Sequence, residues 1–291
     1  MLPFLVIGLR EGLEASLIVG IVAAFLRQRG QMQALRWVWL GVGAAVGICI
    51  AFGATLLALE QQLPQRKQEM LETVVALIAV VMVTYMIIFM AHHARTMKSD
   101  LERHAGHALE QGSVGALVVM AFLAVLREGF ETSVFLLAAF QQTGVASAAA
   151  LGATLGIAIS VVLGYLIYRG GVRINLSRFF TATGFVLVLV AAGLVASAGR
   201  TAYEAGWITN SALTGQAIDL SWLVHQGSVS GSLLTGMFGL YPEPSKLMVA
   251  GYVLYAVPMV IYVLWPRNRG RAKPQPQQQP DSVGSTASLG V

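Results

Sequence analysis

Two five-residue words place charges where their surroundings are apolar: Arg10-Glu11-Gly12-Leu13-Glu14 and Arg127-Glu128-Gly129-Phe130-Glu131. Residues three apart share a helix face, so Glu11 pairs with Glu14, and Glu128 with Glu131. If the two segments meet, four carboxylates converge. Oxygen-only sites of that kind suit hard cations, whereas copper(I) and zinc recruit thiolate, thioether or imidazole, and no histidine stands in the middle of an apolar stretch. Arg10 and Arg127 are the charge partners. Two arginines against four acids leave a negative surplus that a di- or trivalent cation would offset, and Gly12 and Gly129 remove bulk between the acids so that another helix or the ion can approach.

Charged side chains at the centre of a bilayer each cost about 2.5 to 3.5 kcal/mol on insertion scales, so six of them amount to on the order of 15 kcal/mol before compensation. Two other uses of such groups are buried ion pairs that fix helix register and a proton relay through carboxylates. A membrane-embedded metalloenzyme would ordinarily show a helical His-Glu-x-x-His or a serine nucleophile motif; the chain has neither, nor a Gly-x-x-x-x-Gly-Lys-[Ser/Thr] phosphate loop. The expectation is a transporter, not an enzyme, with no permanently bound cofactor.

The elements that must carry these residues are membrane helices. The chain is 56% hydrophobic and 11% charged, far from the roughly 25% charged of soluble domains. Apolar runs long enough to cross a hydrocarbon core of about 30 Å span about 2–26, 37–59, 71–92, 114–140, 146–168, 179–198 and 246–265. The expected fold is all-α, a polytopic membrane protein of seven transmembrane helices.

Basic residues alternate by loop. Arg27, Arg29, Arg36, Arg95, Lys98, Arg103, Arg169, Arg173, Arg178, Arg267, Arg269, Arg271 and Lys273 fall on one side; Arg66, Lys67, Arg200 and Lys246 fall on the other. This bias puts the N-terminus outside and the C-terminus in the cytoplasm, and it explains the net charge of +5 without nucleic acid. The N-terminus lacks the basic region of a cleavable signal and is expected to be retained. Cys49 is the single cysteine, so no internal disulfide or cysteine metal cluster forms.

The two motifs are offset by 117 residues, which also superimposes Ser16 on Ser133. Three spans start with each copy, and three is odd, so the second set crosses in the opposite sense. The expected organisation is a 3+3 inverted repeat plus one helix: repeat one about 1–92, repeat two about 114–198 and a seventh helix about 246–265, forming a permease domain over 1–265. Such repeats hold substrate near the midplane at their interface. Gly43 with Gly47, and Gly152 with Gly156, have small-xxx-small spacing for close helix contact. The connection 199–245, with Trp207, Trp222, Asp219, His225 and Glu243, faces outside; Pro-Gln-rich 266–291 is a disordered cytoplasmic tail.

The doubled Arg-Glu-Gly-x-Glu word in a seven-span protein resembles the oxidase-dependent iron permease family, which includes fungal high-affinity iron permeases and bacterial EfeU-type proteins. The likeness covers about residues 1–265, and Thr84-Tyr85-Met86-Ile87-Ile88-Phe89-Met90 before a basic stretch is similar to the third span of the bacterial branch. The resemblance implies iron uptake across the plasma membrane, as ferric ion after external oxidation. Glu11, Glu14, Glu128 and Glu131 would be translocation ligands, with Arg10 and Arg127 as charge partners. It also implies an extracytoplasmic oxidase, peroxidase or iron-binding protein as partner. Glu72, and less so Glu69, would receive the ion at the outer end of the third span, unless they are solvated acids at a helix N-terminus. His92, His93, His104 and His107 would form an exit relay or an ordinary polar segment. A permease for another hard or divalent cation, such as manganese or lead, or a proton-coupled transporter, remains the alternative.

Overall fold

The computed structural model describes residues 1–93, 114–143, 146–169, 175–208, 215–222, 234–235 and 239–264. Their architecture is seven long helices: α1 (Leu2–Gln28), α2 (Met32–Gln62), α3 (Gln65–His93), α4 (Val114–Thr143), α5 (Ala146–Tyr168), α6 (Leu176–Glu204) and α7 (Lys246–Leu264). Each coincides with one of the seven apolar runs, and α1, α2, α3, α4 and α6 continue past their runs into polar residues. Five are long and apolar enough to cross a membrane: Met32–Glu60, Gln65–Ala91, Ser147–Ile167, Leu176–Glu204 and Lys246–Leu264. The other two, α1 and α4, carry the three motif charges each. A bilayer offers no water to backbone groups, so helices that close their own hydrogen bonds are the form such a chain takes. The chain is an integral membrane protein.

The helices pair across the sequence. α1 packs mainly on α5, α2 on α4, α3 on α6, and α7 lies against α6. The main core joins Phe4 and Ile7 of α1, Ala79 and Val83 of α3, Phe135 and Ala138 of α4, and Leu187 and Val188 of α6. Polar bonds stitch α3 to its neighbours: the Thr73 and Thr201 hydroxyls are 2.7 Å apart, and Thr84 meets the Tyr255 hydroxyl at 2.8 Å.

Small residues set how near the motif helices come to their partners. A Cβ on Gly156 would meet the backbone of Leu5, Gly8 and Leu9, one on Gly152 would meet Met1 and Phe4, and one on Gly12 would run into Ser160. The α1–α5 contact therefore exists only because these positions lack side chains. Gly43 and Gly47 differ from the sequence expectation, for both face open space. On α2 the contact with α4 runs instead through Cys49, against which a Cβ on Gly129 would collide, and through Gly53, where an added Cβ would come to 3.5 Å from the Ser133 hydroxyl. The tail 266–291, His104, His107 and His225 lie outside the described residues, as do the side chains of His92 and His93.

Candidate metal site

Both motifs sit near the middle of their helices, and α1 and α4 touch. Around the first copy the environment is closed. Arg10 has no exposed surface; its Nε is 3.5 Å from Oε1 of Glu14 and 4.0 Å from Oε1 of Glu11, and its guanidinium stands 5.7 Å from the Phe180 ring centre. These are charge contacts, not hydrogen bonds, because none of its three nitrogens has a hydrogen-bond partner. The second copy is more open. Arg127 is 54% exposed, and its Nε donates to Oε1 of Glu131 at 2.8 Å while lying 3.9 Å from Glu128.

Across the α1–α4 contact, ligand oxygens of Glu11, Glu128 and Glu131 all lie within 4.8 Å of one another. Glu11 and Glu128 are buried. Both oxygens of Glu11 and Oε2 of Glu128 are sealed from solvent with no hydrogen-bond partner. Buried carboxylate oxygens left unpaired are costly, and carboxylates gathered this closely from two helices are what a hard cation would satisfy. Three of the four motif carboxylates are thus gathered together; Glu14 is not in that triad and is instead held by Arg10.

The supporting bonds come in matching sets. Ser16 donates to the carbonyls of Leu13 and Ser160, at 3.0 and 3.3 Å, and Ser133 donates to those of Gly129 and Cys49, at 2.8 and 3.3 Å. Each fixes a motif helix to its partner one turn from the acids. Beyond Ser16, a cavity of about 550 Å³ runs between α1, α5 and α6, from Ser16, Leu17 and Gly164 to exposed Arg27, Gln28 and Arg169.

Glu72 is half-buried on α3, within electrostatic reach of Glu60, Arg200 and Glu204. Glu69 accepts from Gln65 at 3.2 Å. Asp219, in the connection between α6 and α7, is bonded by the Ser221 hydroxyl and accepts from the Ser221 N–H at 2.8 Å, which together hold its carboxyl below the usual range, so it caps a turn. Glu60 is the buried acid that sequence reasoning passed over. Its neighbours Gln61 and Gln62 make it read as a solvated helix end; the available signal was its position directly after an unbroken apolar run.

The chain matches the model of the Iron permease FTR1 family over residues 1–267. It belongs to that family. Among its relatives, the Ferrous iron permease EfeU of Escherichia coli strain CFT073 is 44% identical over 274 residues, covering 91% of this chain and 96% of the relative. That of Shigella sonnei strain Ss046 is 43% identical over 274 residues, with 91% and 96% covered. That of Yersinia pestis is 39% identical over 269 residues, with 91% and 94% covered. No solved structure matches.

Proposed function

We propose that this protein is an iron permease of the cytoplasmic membrane, and that iron crosses at the carboxylates of the two motif copies. The observation that carries the reading is the Glu11–Glu128–Glu131 triad at the contact of two charged helices, in which Glu11 and Glu128 are buried with oxygens that lack hydrogen bonds. Glu14 completes the set as the fourth ligand, exchanged between Arg10 and the ion, and Arg127 balances Glu131. Family membership and the names of the relatives support iron as the cargo; the oxygen-only donors support a hard cation in general.

The 3+3 inverted repeat, with units 1–92 and 114–198, is supported by crossed pairing, in which the first helix of each unit lies on the second helix of the other. All seven helices cross, the N-terminus lies outside, and 266–291 extends into the cytoplasm, as the loop charges favour. Ferric ion is the harder acid and suits such ligands best, while the relatives are named for ferrous iron. An outer oxidase, peroxidase or iron-binding protein would reconcile the two by delivering oxidised ion.

Purified protein in liposomes, followed with labelled iron, tests the assignment. Glu14→Ala and Glu131→Ala should each lower initial uptake at least about tenfold, the size of effect expected when a metal shell is damaged. Uptake surviving both substitutions would remove the motif from the path. Parallel runs with ferrous iron, ferric iron, manganese and lead rank the cargoes.

A further inference from the structure

We propose a second hard-cation site at the end of the bundle opposite the cavity, built on the Glu60 carboxylate with Glu72 and the side-chain oxygen of Gln141. The ion would rest there before reaching the motif triad. This rests on the permease reading for its cargo and direction, but it stands on residues outside the two motifs.

Glu60 is only 6% exposed. The amides of Gln141 and Gln68 approach its carboxylate, yet Oε2 of Glu60 and Nε2 of Gln141 are both sealed from solvent without a hydrogen-bond partner. A carboxylate that merely anchored a helix end would have closed those bonds, since an unmade bond in a dry place costs about 1 to 3 kcal/mol. Turning the Gln141 amide over presents its oxygen to an ion instead.

Charge balance points the same way. Glu60, Glu69 and Glu204 each lie within electrostatic reach of Glu72, as does Arg200. Arg200 is engaged elsewhere: its Nη1 donates to both oxygens of Glu204, at 2.9 and 3.2 Å, and the guanidinium stands 5.7 Å from the Tyr241 ring. Among the described residues, no Lys or Arg forms an ion pair with Glu60 or Glu72. Glu60 and Gln141 also occupy the last turns of α2 and α4, neither of which has a basic residue there. Helix C-termini carry partial negative charge and free carbonyls, so two of them add to the pull on a cation.

Gln141 follows Glu131 by ten residues on the same helix, a rise of about 15 Å. That separation makes a distinct site, not an extension of the triad.

Manganese(II), a hard cation visible by electron paramagnetic resonance, serves as the probe on the full-length protein in detergent. Wild type should bind two ions. Glu60→Gln, close in shape to the native side chain, should bind one, and the Glu128→Gln/Glu131→Gln double variant should bind the other one. In liposomes Glu60→Gln should raise the KM for iron at least about tenfold with maximal flux within about twofold, and Glu72→Gln should act in the same direction. Two ions of unchanged affinity in Glu60→Gln, or a wild type whose single ion is lost with the motif variant, overturns the second site. Two ions persisting in the motif double variant would instead overturn the motif assignment and leave Glu60 standing.

Discussion

Arg10 and Arg127 hold the same place in the two copies, and the structure gives them different work. Arg10 is fully enclosed beside Phe180 with Glu11 and Glu14 within ion-pair range, whereas more than half of the Arg127 side chain is exposed and its bond to Glu131 is a helical i,i+4 pair. Removing one partner of a buried charge group typically costs about 3 to 5 kcal/mol, and Arg10 is wholly enclosed where Arg127 is only partly covered. Arg10→Gln should therefore lower the midpoint of thermal unfolding in detergent more than Arg127→Gln, and equal shifts would refute the asymmetry. The sequence shows both motifs and the pairing of the acids, because helical spacing decides it. It cannot show which copy is covered, because Phe180 and Gly184 approach Arg10 from 170 residues away.

Helix contacts explain where the sequence was misleading. Gly43 and Gly47 were the visible small pair on α2, but the contact surface is Gly41, Ala45, Cys49 and Gly53, matching Gly152, Gly156, Ser160 and Gly164 on α5 at a constant offset of 111. That is six fewer than the 117 between the motifs, because the connection from motif to second helix is shorter in the second half. Apolar length marks out the seven helices, while the face each turns inward depends on the number of residues between motif and contact, most of them helical, which carries no hydrophobic signal. The correspondence makes Cys49 and Ser160 equivalents: a Cβ on Gly129 collides with one, and a Cβ on Gly12 with the other. Cys49→Ser should thus leave stability and iron flux nearly unchanged, whereas Gly129→Val should cost about 1 to 3 kcal/mol by overpacking. Recovery of the unfolding midpoint in Gly129→Val/Cys49→Gly would confirm that the lost fit is this one contact, and no recovery would refute it.

At the scale of the whole molecule the two ends of the bundle differ in their acids. The cavity beside Ser16 opens between Arg27 and Arg169, while the other end gathers Glu60, Glu69, Glu72 and Glu204 around Arg200. On the proposed path, acids at the entrance would concentrate cations and basic groups at the exit would hasten their departure, in keeping with the proposed orientation. Gly20 lies on the cavity wall, within reach only from the side on which Arg27 opens. In a Cys49→Ser background, Gly20→Cys should react with a membrane-impermeant maleimide in inside-out vesicles and stay unlabelled in right-side-out ones. Labelling from the outer side alone would reverse the orientation of all seven helices. Blockade is the companion measurement. Maleimide on Gly20→Cys should stop iron flux while manganese(II) still binds at the triad, because the obstruction stands on the exit side of the ligands.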